Sequence, residues 1–430
     1  NNIGLIYNNL GQHSQALEFY QQALKFRQKA DDTTGIGTTL HNIGFVYDEL
    51  GNYDKALKFY QQALKIRQIA NDQEGKATTL NNIGLFYNQR QQYTASLQSL
   101  KQALIIFQEL NYPLDEANTL DSLGTVYKSQ GKYNQASEAY QKALTISQKF
   151  NDRTLEAFIL SNIGNLLTQK KQPILAITFY KQSVNKYEQI RQGLRTLPKE
   201  QQESYTKTIA HTYRNLANLL IQQDRIIEAQ QVLDLLKVQE LKDYLRKVRG
   251  SGEKLVILRP EEEILKKYNQ LQTSAIKLGQ ELTELRKTPE SNRTQAQNQR
   301  ITQLVKLQTE LNQQFNEFSQ RKDIIALLEK LNPQTLRQTV DLADLDALRD
   351  DLKRLNAVML YPLILEDRLE LIITTPDSPP LRRTVKVKRS ELNKVITEFR
   401  QALQNPISDA KTPGKKLNNW LIKHLENDLK

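Results

Sequence analysis

Asn42-Ile43-Gly44-Phe45-Val46-Tyr47 decides the fold, because its pattern returns along the chain at a constant step. Ile3-Gly4, Ile43-Gly44, Ile83-Gly84, Leu123-Gly124 and Ile163-Gly164 stand 40 residues apart. Five returns without an insertion or deletion are the mark of stacked units, none of which can bury its apolar face alone. Outward from Gly44 the next marked positions are Tyr47, Gly51, Ala56, Tyr60 and Ala63. The first unit repeats them as Gly4, Tyr7, Gly11, Ala16, Tyr20 and Ala23, and the fourth as Gly124, Tyr127, Gly131, Ala136, Tyr140 and Ala143. Offsets of three, four and seven are helical, and Gly51-Asn52 interrupts them as a turn does. Each unit therefore reads as two antiparallel helices, such as 34–50 and 53–70.

The small residues have a steric reason. Gly44 and Ala63 leave room where two helices approach closely, while Tyr47 and Tyr60 fill the space beside them. A glycine inside a helix costs roughly 1 kcal/mol relative to alanine, which closer packing offsets. Asp31-Asp32, Asn71-Asp72, Asn111-Tyr112-Pro113 and Asn151-Asp152 stand where helix stops and N-caps are needed. Together these marks resemble the tetratricopeptide repeat in a 40-residue form, over residues 1–190. The resemblance implies an α-solenoid superhelix whose concave groove holds a protein or peptide ligand.

The register breaks after the fifth unit. The next match, Asn215-Leu216-Ala217-Asn218, follows an inserted Arg191-Gln192-Gly193-Leu194-Arg195-Thr196-Leu197-Pro198. Residues 191–249 read as an atypical sixth, capping unit with helices at 199–222 and 226–249. Arg249-Gly250-Ser251-Gly252 reads as a hinge, and Pro260 can start the next helix. Ile264, Tyr268, Leu271, Ala275, Leu278, Leu282 and Leu285 form one heptad seam; Ile301, Leu304, Gln308, Leu311, Phe315 and Phe318 form another. With the polar break Thr288-Pro289-Glu290-Ser291-Asn292 between them, residues 250–332 are predicted to be an antiparallel, coiled-coil-like helical hairpin. A rigid spacer is the favoured role and dimerisation through the seams the alternative. Composition changes after Asn332-Pro333. Residues 333–430 read as a small, incomplete α/β lobe, with strands at 358–365, 369–375 and 384–388 and helices at 391–403 and 417–429. Ser390 is the expected N-cap of the first of these helices. The fold class is mainly α.

Composition narrows the function. The 430 residues contain no cysteine, which excludes disulfides, thiolate metal sites and a cysteine nucleophile among them. His13, His41, His211 and His424 are scattered, so no metal site and no cofactor is expected. Apolar runs fall far short of the ~18 residues that cross a bilayer. The net charge of +12 is spread along both halves rather than gathered in a stripe with interleaved aromatics, which disfavours nucleic acid as a partner. The chain begins without methionine and inside a helix, so a leader can be neither found nor excluded; a cytoplasmic location is expected.

Ala229-Gln230-Gln231-Val232-Leu233-Asp234-Leu235-Leu236-Lys237-Val238-Gln239-Glu240-Leu241, then the hairpin, then residues 361–403 follow one another in an order that resembles bacterial proteins joining tetratricopeptide repeats to a CHAT domain. That family implies a caspase-like α/β fold in which a thiolate attacks a peptide carbonyl while a histidine moves the proton. No residue here matches the dyad, since cysteine is absent and His424 falls in the expected last helix. The resemblance therefore implies a fragment that stops before the dyad and is not itself an enzyme, from a parent that is a candidate cysteine peptidase. The alternatives are a non-catalytic structural adaptor and, less favoured, a nucleic-acid-linked effector.

The expected function is protein or peptide binding. Asparagine recurs at one position of the first helices, as Asn2, Asn42, Asn82, Asn162 and Asn215, with Ser122 the exception. A primary amide carries a donor and an acceptor, matching the N–H and C=O of an extended peptide. The same face adds Thr38, His41, Phe45, Asp48 and Glu49 in the second unit. Asn81, Leu85, Asn88 and Gln89 follow in the third, and Asp121, Thr125 and Lys128 in the fourth. On the other reading the asparagines bond the neighbouring repeat's backbone and set the stacking angle. Tyr20, Tyr60, Tyr140 and Tyr180 are expected to be packing residues.

Overall fold

A computed structural model describes residues 1–9, 11–237, 255–332, 350–376, 381–404 and 408–426. Ten helices make five successive pairs: α1 (Asn2–Asn9) with α2 (His13–Lys29), α3 (Thr33–Glu49) with α4 (Tyr53–Ile69), α5 (Gln73–Gln89) with α6 (Tyr93–Glu109), α7 (Pro113–Ser129) with α8 (Tyr133–Lys149), and α9 (Arg153–Gln169) with α10 (Pro173–Gly193). The junctions explain the breaks. Asp32, Asp72 and Asp152 accept from the backbone N–H groups of Gly35, Gly75 and Leu155 at 2.9, 2.8 and 2.9 Å, satisfying first-turn donors. Ahead of each stands Asp31, Asn71 or Asn151 with φ of 53, 54 and 55°, a left-handed conformation that short polar side chains tolerate.

Each glycine of the repeat faces the large side chain of its pair. A Cβ on Gly44 would lie 2.9 Å from Tyr60 Cδ1, and one on Gly124 would lie 2.6 Å from Tyr140 Cε1. In the third unit Leu100 takes the tyrosine's place, 2.5 Å from the Cβ that Gly84 lacks. Tyr20, Tyr60, Tyr140 and Tyr180 are all fully buried, the packing role expected of them. The first helices α3, α5, α7 and α9 lie side by side and line one face of the array. The architecture is that of a tetratricopeptide-type α-solenoid.

By internal packing the chain divides into two compact units, Asn1–Thr212 with Lys254–Leu331, and Tyr213–Glu253 with Asn332–Lys430. Helix α11 (Lys199–Gln222) contributes its first part to one and its second part to the other. The first unit ends in a hairpin of α13 (Arg259–Arg286) and α14 (Gln295–Asn316), followed by α15 (Lys322–Lys330). Pro260 sits in the first turn of α13, and Thr294 caps α14 in a reciprocal pair with Gln297. The buried ends of the two seams meet the repeats as well as each other. Tyr268 of α13 packs edge-on against Phe179 of α10 at 4.8 Å, against Phe315 at 5.2 Å and against Phe318 at 5.4 Å. Asn312 of α14 donates to Glu138 of α8 at 3.0 Å.

The apolar run before α13 is tied down to α10. The Asn185 amide both donates to Leu255 O at 3.0 Å and accepts from Leu255 N at 2.8 Å. Lys181 Nζ donates to Val256 O at 3.0 Å and to Glu261 at 2.8 Å, in an ion pair whose side chains are 1% and 0% exposed. The hinge expected at 249–252, residues 238–249 of the expected capping helix and Pro333 lie outside the described residues.

The second unit joins the end of α11 and α12 (Ile226–Lys237) with an antiparallel sheet of β1 (Met359–Ile364), β2 (Leu369–Thr374) and β3 (Leu381–Val385), in that order. Pro362 stands in the edge strand β1, where a missing N–H costs no ladder bond. Helices α16 (Arg389–Gln404) and α17 (Lys411–Leu421) complete it, over a core that includes Leu369, Leu371, Ile373, Val385 and Leu392. Three expected boundaries are corrected. Strand β3 begins at Leu381, paired with Ile373, rather than at 384. Ser390 lies inside the first turn of α16, since Leu392 N already bonds Lys388 O. Helix α17 starts six residues before 417 because Asp409 accepts from the N–H groups of Lys411 and Thr412, and His424 sits in a 3-10 turn, Lys423–Leu425, instead of in that helix.

Candidate peptide-binding groove

Helices α5, α7 and α9 present the same face in three successive repeats, and a groove of about 450 Å³ opens between them. It is lined by Thr78, Asn81, Leu85, Phe107, Asp115, Asn118, Thr119, Asp121, Ser122, Thr125, Phe158 and Asn162. Of the residues singled out in the sequence, Asn81, Leu85, Asp121, Thr125 and Asn162 line it. Thr78, Asn118 and Phe158 were missed, although Thr38 was singled out and steps of 40 from it reach all three. Phe158 is 41% exposed, a large apolar ring at the groove.

The asparagines divide. Asn82 Nδ2 lies 3.0 Å from His41 Nε2, and His41 Nδ1 lies 3.1 Å from Thr79 Oγ1. Asn162 Nδ2 donates to both carboxylate oxygens of Asp121, at 2.9 and 3.0 Å. Each bond joins one repeat to the next through a side chain, where the stacking reading had expected backbone. Asn42 is half-buried, Asn2 is exposed on α1, and Asn215 belongs to the second unit. Asn81 keeps a buried Oδ1 without a hydrogen-bond partner among the described residues, and so does Asn88.

Of the other expected groove residues, Asp48 pairs with Arg90 of the next repeat at 2.8 Å, and that guanidinium lies over the rings of Tyr53 and Phe86 at 3.6 and 3.5 Å. Asp48 is therefore a stacking residue. Phe45 is 39% exposed and Lys128 half-buried.

Burial sets the electrostatics. Asp121 is 4% exposed, and desolvation pushes its carboxyl up to about 7, against the opposing effects of the Asn162 bond and the Lys128 charge. Burial lowers Lys128, with Asp121 acting the other way. Asp115 is raised by burial and by the Glu74 charge. Desolvation, helped by Arg67, drives His41 down to about 3, so it stays neutral. Among the described residues no group of His, Asp and Glu is arranged to hold a metal ion, and no helix is long and apolar enough to cross a membrane.

These features define a helical-repeat protein whose first helices line an open groove. Residues 1–69, 75–149 and 115–189 match the family model of the tetratricopeptide repeat, so the array consists of tetratricopeptide repeats. No curated protein matches the chain. Solved structures with a similar course include BtubC (BKLC) from P. vanneervenii, 15% identical, with a TM-score of 0.44 and coverage of 54% of this chain and 93% of that one. Aspartyl phosphate phosphatase F from Bacillus subtilis is 16% identical, with a TM-score of 0.40 and coverage of 70% and 75%. The Rap conjugation gene regulator of the plasmid pLS20, in complex with the Phr* peptide, is 15% identical, with a TM-score of 0.34 and coverage of 68% and 78%.

Proposed function

We propose that the repeats are a recognition scaffold that holds a peptide segment of a protein partner between α5, α7 and α9. The observation that carries this reading is the composition of the groove. It sets polar side chains, Asn81, Asn118 and Thr125 among them, in one groove with the apolar Leu85 and the exposed Phe158 ring. An extended peptide pairs its backbone with the amides and hydroxyls that line the groove and offers its side chains to Leu85 and Phe158. The role is binding rather than catalysis. The test is selection of a displayed random peptide library on the immobilised full chain, repeated with Asn118→Trp, which fills the groove from an exposed position. Peptides that bind the unaltered chain and lose the variant support the reading; equal binding puts the site elsewhere, and failure to select any peptide overturns it.

The domain division at 190, 249 and 332 belongs to the same reading, with residues 333–430 as the sheet-bearing part of a CHAT-like domain. Its support is the order of parts together with an antiparallel sheet, β1-β2-β3, backed by α16 and α17. In a protein that carries a caspase-like dyad beyond these parts, ligand binding to the repeats would gate the peptidase in the cytoplasm. A longer gene product with His and Cys at strand ends, whose peptidase activity ignores ligands of the repeats, would sink that coupling and leave a structural adaptor.

A further inference from the structure

Four successive first helices carry His41, Asn81, Asp121 and Ser161 at one position. Only the third is an acid, and it stands at the groove. The stack does not require it, because neutral residues serve at the three equivalent positions. Among the described residues its oxygens accept from Asn162 alone, and no ammonium or guanidinium lies within ion-pair distance. Among the residues that line the groove, the charged ones are Asp121 and Asp115, both acids, in a chain of net charge +12. An amide at position 121 would keep a bond to Asn162 and bury no charge, so the carboxylate is kept at a cost to the fold. The Phe158 ring presents a face that attracts cations.

We propose that Asp121 is the anchoring subsite of the groove and takes the cationic group of a bound peptide, a lysine or arginine side chain or a free amino terminus, with Phe158 beside it. The subsite rests on the peptide-binding reading of the groove and adds its selectivity. The ionisable groups acting on Asp121 are Lys128 on its own helix, Tyr140 on α8 and Tyr187 on α10; both phenols are raised by burial and stay protonated. As pH rises through about 7, Asp121 gains its charge and grips a cation more tightly.

The test uses the full chain and a displayed library of random heptapeptides, each selected peptide then being synthesised. On the unaltered chain a basic residue or free amine should recur at one fixed position. Asp121→Asn, the residue found at the equivalent Asn81, should bind these peptides roughly tenfold or more weakly and lose the preference. Affinity for the unaltered chain should rise between about pH 5.5 and about pH 8, while Asp121→Asn stays flat over that window. Should Asp121→Asn fail to fold, Asp121→Ser, the residue found at Ser161, takes its place. Selected peptides without a basic preference, or one that survives in the variant, overturn the subsite and leave the groove reading standing. If no peptide is selected, both fall.

Discussion

His41 shows how a polar side chain on the groove face can serve the stack instead of a ligand. Buried between Thr79 and Asn82, it is held neutral, with its pKa lowered from 6.5 to about 3. The unfolded chain binds a proton there more readily than the folded one. His41 therefore gives its full stabilisation above the unfolded value and loses it as pH falls from 6.5 toward 3. Denaturation at about pH 7 and about pH 5 should show the unaltered chain losing about 2 kcal/mol more than His41→Asn. Asp121 has the opposite sign. Its folded value is raised from 3.8 to about 7, so the fold loses stability as pH rises across that range. Thermal melts should place Asp121→Asn above the unaltered chain at about pH 8, with the gap closing toward about pH 4; a lower melting point at both would contradict this. At this scale the glycine and tyrosine marks were fully legible, because a steric rule acts within one helix pair. The partners of Asn82 and Asn162 were not, since they depend on which side chain the neighbouring repeat places opposite.

Helices and turns follow local chemistry, and their boundaries came out best where a cap could be read. Asp32, Asp72 and Asp152 fall on a repeated step and were found; Asp409 falls on none, and the start of α17 was missed with it. Asp72 also lies 3.7 Å from the buried Arg67. Asp72→Ala should cost about 1 kcal/mol or more, read as a lower denaturation midpoint. The contact between α10 and the hairpin is a larger contribution. Lys181→Met removes the ammonium from a fully buried carboxylate and should cost about 3 kcal/mol or more in chemical denaturation. A neutral result would mean that the pair contributes nothing to docking α13. The seams of α13 and α14 were visible as heptads, but a heptad states that a face is apolar without naming what covers it. Much of the cover is α8 and α10.

Across the first unit, the hairpin braces the repeats unevenly. Among the described residues its main contacts are with the fourth and fifth pairs. Amide exchange should slow from α1 toward α10, and uniform protection would argue against bracing. The same arrangement bears on how such an array can change its number of units. Tyr268, Asn312 and Lys181 fix the hairpin to α8 of one repeat and α10 of the next, so those two copies must stay adjacent and in register. Excision of residues 33–72, one whole period upstream, keeps every such contact and should give a folded, shorter protein by circular dichroism. Excision of 113–152 should not. Gain and loss of copies over generations is then confined to the side away from the hairpin, while the repeats beside it are held at a constant number.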